Sequence, residues 1–266
     1  MFQRDAYLLA GPTASGKTGA VAILARELGA AVLCADSMSV YRGFDIGTAK
    51  PTPAEREGYA TGGIDLADPC EEFSAGEWLR AAADFAASIP PSAPLIVSGG
   101  TGLYFSALLR GLDRKWADPP PACPVLDLPR EELRARAARR IDAMLAAGWP
   151  EEVASLARRF PRWSRTASYA IGYAEIRAAY SFPEGSPPVP PPEPAFSAMK
   201  ERMLVRTMRL VKHQATWFRH QMRAVPVPAA DDPAETARRV RGAWRACGPA
   251  KAFFPDPGEL PAEKTA

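Results

Sequence analysis

The residues Gly11-Pro12-Thr13-Ala14-Ser15-Gly16-Lys17-Thr18 carry the spacing G-x-x-x-x-G-K-T. Glycines at the ends of such a loop let consecutive backbone N–H groups turn toward one point, which favours a phosphate or diphosphate. Gly11, Thr13, Ala14, Ser15 and Gly16 would form the cradle, Lys17 would add a mobile positive charge, and the Thr18 hydroxyl could hold Mg²⁺. The plainer reading, a glycine turn with a solvated lysine, accounts for neither Gly16 nor Thr18. Asp36 is the second residue with chemistry in reach. Following an apolar run, its carboxylate could hold Mg²⁺ through water or take a proton from an acceptor group; the same position suits an Asp that caps a loop beside Ser37. Thr101, set between glycines, could present a hydroxyl to phosphate or simply close a turn.

The elements that would position these residues are legible around them. Ala6-Tyr7-Leu8-Leu9-Ala10 reads as a buried strand, and Val21, Leu24, Ala25 and Leu28 mark one helical face closed by Gly29. Ala31 to Ala35 reads as a second strand ending at Asp36-Ser37, and Pro94 to Ser98 as a third ending at Gly99-Gly100-Thr101-Gly102. Ser74 to Ile89 reads as a helix, with Ser74 and Glu77 spaced as a capping box. This alternation predicts a P-loop NTPase-like α/β fold, a parallel sheet flanked by helices, with a mainly helical C-terminal part. Ligands of such sheets collect at the carboxyl ends of the strands, where the loop, Asp36 and Thr101 all fall.

Further on, Trp116 to Pro129 changes composition, and Asp118-Pro119-Pro120-Pro121 is expected to break any regular element. Helices are expected over Pro129 to Leu145, Pro150 to Arg159, Ala195 to Arg223 and Asp232 to Cys247, with a stiff proline-rich crossing at Ser181 to Pro194 and a strand at Val225 to Val227. The tail from Pro249 is expected to be disordered. The implied units are a core at 1–117, a helical basic part at 118–230 that completes it, a last helix at 231–248 and a tail at 249–266.

Composition sets bounds on function. With 266 residues, 47% hydrophobic, 24% charged and a net charge of +3, the chain reads as an ordinary globular protein that tolerates an anionic partner. Its four cysteines form no C-x-x-C pair, which argues against a zinc or disulfide framework and suits a reducing cytoplasm. No signal peptide and no membrane-spanning run is expected. The long helix carries Lys200, Arg202, Arg206, Arg209, Lys212, Arg219 and Arg223: a solvated basic face by default, or a phosphate-facing surface if the partner is RNA. On it, Trp217 and Phe218 suit packing better than base stacking, and His213 and His220 have no metal-site spacing.

A set of longer words adds an identity. GPTASGKT at 11–18, ADSMSVYRGFDIGTAKP at 35–51, FSAGEW at 73–78 and SGGTGLYFSALLRGL at 98–112 resemble the tRNA dimethylallyltransferase (tRNA isopentenyltransferase) family. So do PREEL at 129–133, RIDAMLAAGWPEEV at 140–153, AIGYAEI at 170–176 and KHQATWFR at 212–219. The resemblance runs from about Tyr7 to Arg219. It implies transfer of a dimethylallyl group from dimethylallyl diphosphate to N6 of the adenosine 3′ of the anticodon in tRNAs reading U-initial codons. It also implies Mg²⁺ as cofactor, with Thr18 helping to hold it, and a cytoplasmic enzyme expected to be a monomer. By resemblance Asp36 accepts the N6 proton and Thr101 contacts adenosine or diphosphate. Asp36, Ser37, Met38 and Ser39 match the tRNA-contacting stretch, and Arg206, Arg209 and Lys212 face the anticodon stem.

Against that family the chain lacks the helical insertion between Leu112 and Pro129, has Gly62-Gly63 where the family has a paired histidine, and has Ser39 where it has glutamine. It also places Met208 where the family has a diphosphate-binding arginine. Two rivals remain from the sequence: a relative that prenylates an adenine nucleotide, and an RNA-binding protein that keeps the fold without the chemistry. A generic nucleoside triphosphatase lacks a clear second metal-holding acid.

Overall fold

The computed structural model describes residues 1–111 and 119–256. The chain opens with β1 (Phe2–Ala10), α1 (Lys17–Leu28), β2 (Ala31–Ala35), β3 (Thr61–Gly62) and α2 (Ala75–Ser88). It continues with β4 (Leu95–Gly99), α3 (Gly102–Arg110), β5 (Ala122–Asp127), α4 (Arg130–Ala146) and α5 (Trp149–Arg159). The remainder is α6 (Arg165–Ser168), α7 (Tyr173–Ala179), α8 (Ala195–Gln221), β6 (Arg223–Pro228), α9 (Pro233–Cys247) and β7 (Ala250–Phe254).

The strands lie in the order β3-β2-β4-β1-β5-β6, all parallel, with β7 antiparallel to Phe2–Ala6 of β1. Side chains alternate across this sheet and sort into two layers. Leu9, Val32, Ile96, Leu126 and Val227 pack with α1 and α9 on one face. Leu8, Ala31, Leu33, Leu95, Val97 and Cys123 point into the larger core under the other helices. Indole donors pin helices to strands: Trp244 Nε1 donates to Leu8 O at 2.6 Å and Trp78 Nε1 to Cys34 O at 3.1 Å. The expected Ser74/Glu77 capping box is present, with Glu77 N–H on Ser74 Oγ at 3.2 Å and Ser74 N–H on Glu77 Oε2 at 2.7 Å.

Two expectations need correction. Part of the proline-rich link is a strand: β5 joins β1 to β6, because burying Cys123 and Leu126 outweighs the poor strand propensity of Pro124. The tail is ordered through Phe254, where β7 covers the first half of β1 and Phe254 stacks on Phe2 at 5.1 Å. The rest of the expected disordered tail, at 257–266, and the start of the proline-rich link, at 112–118, lie outside the described residues.

Candidate active site

The ends of β1, β2 and β4 meet one cavity of about 700 Å³. Thr13 to Thr18, Asp36, Met38, Ser39, Ser98 and Gly99 form its strand-end wall. The opposite wall is helical, from Arg140, Ile141 and Met144 of α4, Trp149 of α5, Tyr173 of α7, and Met203, Thr207 and Leu210 of α8.

The phosphate-binding loop is shaped as its glycines require. Gly16 sits at φ 87° as the N-cap of α1, and Ala14 at φ 67° adds a second left-handed turn, so successive N–H groups face inward. Gly11 is hemmed in, since a Cβ there would stand 3.0 Å from Leu126 Cβ and 3.1 Å from Ser15 Oγ. Ser15 is 1% exposed and its hydroxyl has no hydrogen-bond partner among the described residues. An orphaned buried hydroxyl on a cradle of amides fits an anion's oxygen. Lys17 folds back, its Nζ donating to Gly11 O at 2.7 Å and Pro12 O at 2.8 Å. Burial pulls the ammonium down to about 8, and the nearby Asp36 carboxylate opposes that shift.

Asp36 closes β2 and accepts from Met38 N–H at 2.9 Å, leaving carboxylate capacity toward the cavity it lines. Asp36 therefore shapes its own turn, as the capping reading has it, and also lines the cavity. Thr101 lies behind the wall. Its hydroxyl accepts from Ser37 N–H at 2.9 Å and its own N–H donates to Ala35 O at 3.0 Å, so Thr101 fixes the Asp36 turn. Ser37 is likewise off the wall, whereas Met38 and Ser39 are on it. Cys34, also on the wall, has its thiol pushed up to about 12, chiefly by burial, and stays protonated.

The helical wall is held by contacts the sequence reading missed. Glu152 accepts from Asp45 N–H at 3.2 Å, Ile46 N–H at 2.7 Å and the Tyr173 hydroxyl at 2.5 Å. Burial pushes its carboxyl group above the usual carboxylate range, and the Ile46 and Tyr173 donors offset only part of that. The indole of Trp149 fits against Gly47 and Gly172, where an added Cβ would come within 2.2 Å and 1.8 Å of the ring. Lys50 is neutralised by Asp45 at 2.7 Å and Asp65 at 2.6 Å. Gln214 braces α8 against the loop, its Oε1 accepting from Thr13 N–H at 3.1 Å while Gly100 packs beneath its amide nitrogen. A polar residue on the buried stripe of α8 was the available signal for Gln214.

Of the basic residues expected to face RNA, Arg209 and Lys212 are exposed and form no ion pair among the described residues. Arg206 is committed elsewhere: its guanidinium pairs with buried Glu175 at 2.6 Å and donates to Tyr169 O at 2.7 Å. Met208 is buried in the core rather than on the cavity wall, where Met203, Thr207 and Leu210 stand. At Gly62 and Gly63 this fold leaves no room for a side chain, since a Cβ at Gly62 would meet Phe85 at 2.3 Å and one at Gly63 the Cys34 carbonyl at 2.3 Å.

Fold and site together define a phosphate-binding-loop α/β protein with a mixed polar and apolar cavity at its strand ends. The family described as IPP transferase matches residues 39–124 and 117–221. A tRNA dimethylallyltransferase of Synechococcus sp. (strain JA-3-3Ab) is 33% identical, with 90% of this chain and 86% of the relative covered. One from Verminephrobacter eiseniae is 31% identical, covering 88% and 93%. The Synechococcus alignment spans 306 positions against a 266-residue chain, so that relative carries segments with no counterpart here. The fold matches a tRNA isopentenylpyrophosphate transferase of Bacillus halodurans at TM-score 0.73 and 24% identity, covering 91% and 97% of the two chains. It also matches a eukaryotic dimethylallyltransferase acting on tRNA at TM-score 0.67 and 18% identity, covering 92% and 76%. This chain belongs to the tRNA dimethylallyltransferase family.

Proposed function

We propose that the protein transfers the dimethylallyl group of dimethylallyl diphosphate to N6 of the adenosine 3′ of the anticodon in tRNAs reading U-initial codons. The observation that carries this reading is the shared cavity: a phosphate cradle with Lys17 and an orphaned Ser15 hydroxyl, beside the Asp36 carboxylate. The allylic C1–O bond breaks with its electron pair leaving on the diphosphate, and the N6 lone pair forms the new C–N bond. Charge grows on the leaving oxygen, where loop amides and Lys17 stabilise it most. Asp36 accepts the proton that N6 sheds. Thr101 acts through Ser37, keeping the Asp36 turn in place.

The donor set suits Mg²⁺, since Thr18 and Asp36 offer hard oxygens on one wall and the diphosphate would supply more. When bound, the ion would neutralise part of the leaving charge. Among the described residues no group of three or more His, Cys, Asp or Glu could hold a metal ion. The exposed Arg209 and Lys212 would meet RNA phosphates, and the reading carries with it a cytoplasmic monomer acting on an anticodon stem-loop. Among the described residues no helix is long and apolar enough to cross a membrane.

The test offers labelled dimethylallyl diphosphate and Mg²⁺ to the protein with an anticodon stem-loop carrying three adenosines after the anticodon, beside AMP. Label in the RNA is expected. Label only in AMP would move the acceptor to a nucleotide, and label in neither, with RNA still bound, would leave an RNA-binding relative.

A further inference from the structure

We propose that Tyr169 is a stacking platform for RNA: at the rim of the cavity, its exposed ring receives an unpaired base that flanks the extruded adenosine. The inference rests on the transfer reading above.

Tyr169 closes α6 and is 67% exposed, more than any other large apolar side chain among the described residues. No other aromatic ring among them is exposed, so this one calls for a reason. Its hydroxyl has no hydrogen-bond partner and its ring no aromatic neighbour among the described residues. The backbone beneath the ring is pinned. Its N–H donates to Thr166 O at 3.2 Å, and its carbonyl accepts from Arg206 Nη2 at 2.7 Å. Arg206 is in turn fixed by buried Glu175 at 2.6 Å, whose second oxygen accepts from Gly172 N–H at 2.7 Å. A bare ring on a braced backbone loses little freedom when a flat partner arrives.

The ring stands beside the opening. Ala170 and Ile171, next in the chain, line the cavity, as does Thr207 beside Arg206. Leu210, one turn further along α8, lines it too while 38% exposed, which marks the rim. Cations surround this edge. Arg165 lies four residues before Tyr169, on the same side of α6. Arg202 and Arg209 lie one turn to either side of Arg206 on α8. All three are exposed and form no ion pair among the described residues. The nearby Glu72 is engaged by Arg165 N–H at 2.6 Å and by the Thr166 hydroxyl at 3.2 Å. An exposed ring among unpaired cations matches a base with its phosphates, whereas an apolar protein partner would leave those cations unmatched. Extruding the adenosine deprives its neighbours of a stacking face, and Tyr169 replaces that face.

The test compares full-length wild type with Tyr169→Ala, Tyr169→Phe and Arg165→Gln on the anticodon stem-loop described above. Anisotropy of the dye-labelled stem-loop reads binding without donor, and steady-state transfer separates KM from kcat. 2-Aminopurine, placed in turn at each neighbour of the target adenosine, reads stacking by its quenching. Tyr169→Ala is expected to raise Kd and KM for the stem-loop about tenfold, with kcat within about twofold of wild type. Bound 2-aminopurine at one neighbour should brighten in that variant, while Tyr169→Phe behaves as wild type. Arg165→Gln should weaken binding about threefold and reduce the salt slope by about one. Wild-type affinity and quenching in Tyr169→Ala would overturn the proposal, and so would equal losses in Tyr169→Phe. A wild-type dimer in sedimentation that Tyr169→Ala dissociates, with RNA affinity unchanged, would also overturn it and assign the ring to a second copy. A protein whose RNA binding and quenching need Tyr169, but which prenylates no acceptor, would instead sink the transfer reading and leave the platform.

Discussion

The loop and turn of the strand-end wall are closed mainly by residues close in the chain, whereas the helical wall is assembled across long separations. Lys17 bonds to carbonyls five and six positions away, and the Asp36 turn closes on itself within two. Across the cavity, Arg140 reaches Thr48, Glu152 ties down residues 45–47, and Gln214 reaches Thr13, 201 positions earlier in the chain. The first wall is therefore closed mainly by local turns, with Thr101 and Gln214 as its long-range ties. The second exists only when α4, α5, α7 and α8 are all in place. Substitutions on the strand-end wall should change chemistry with little effect on folding, and substitutions on the helical wall should couple the two.

The sharpest separation comes from Asp36→Ala, expected to slow transfer by about 10²–10⁴-fold with melting and RNA binding nearly unchanged. Unchanged transfer would remove Asp36 as the proton acceptor. On the other wall, Glu152→Ala strips the acceptor from the backbone donors of Asp45 and Ile46. It should cost about 2–3 kcal/mol in chemical denaturation and reduce transfer through the displaced loop. A loss of transfer at full stability would break the proposed coupling.

Proton titration gives a third comparison. Lys17 has its pKa lowered to about 8 in the free protein, so kcat/KM for the donor should fall up to tenfold per pH unit above that value. A bound diphosphate favours the ammonium, so the limb in kcat should lie at higher pH. Two coincident limbs, or neither, would contradict a charged Lys17 on the leaving group. For stability the sign is opposite to that of activity. Folding disfavours the ammonium, so the cost is full below pH 8 and is relieved as pH rises from 8 toward 10.5.

The smallest effects lie on α8. Arg209→Ala and Lys212→Ala should each lower RNA affinity a few-fold and reduce the salt slope by about one, with no change in melting. Arg206→Ala should instead cost about 2 kcal/mol of stability, because Glu175 stays buried without its cation. If Arg206→Ala acted only on RNA affinity, the division of labour along this helix would be wrong.

The same contrast explains what could be read from the chain. The phosphate loop, the strand ends at Asp36 and Gly99, and the Ser74/Glu77 box are local patterns and appear where the residues predict them. β5 was hidden because Pro124 and the prolines before it speak against a strand, while the burial that creates it needs β1 and β6. β7 was hidden for a similar reason, since its partner lies at the far end of the chain. Arg140 could not be told from its four neighbouring arginines on α4 by type or spacing. Only packing shows which of them turns inward. Likewise, a basic stripe gave no sign that Glu175 would claim Arg206.

The most direct measurement is mass spectrometry of nucleosides released from an anticodon stem-loop incubated with the protein, dimethylallyl diphosphate and Mg²⁺. The account predicts one N6-dimethylallyladenosine per modified loop, at the adenosine 3′ of the anticodon, forming about 10²–10⁴-fold more slowly with Asp36→Ala. Unmodified RNA after complete binding, or a product unaffected by Asp36→Ala, would contradict it.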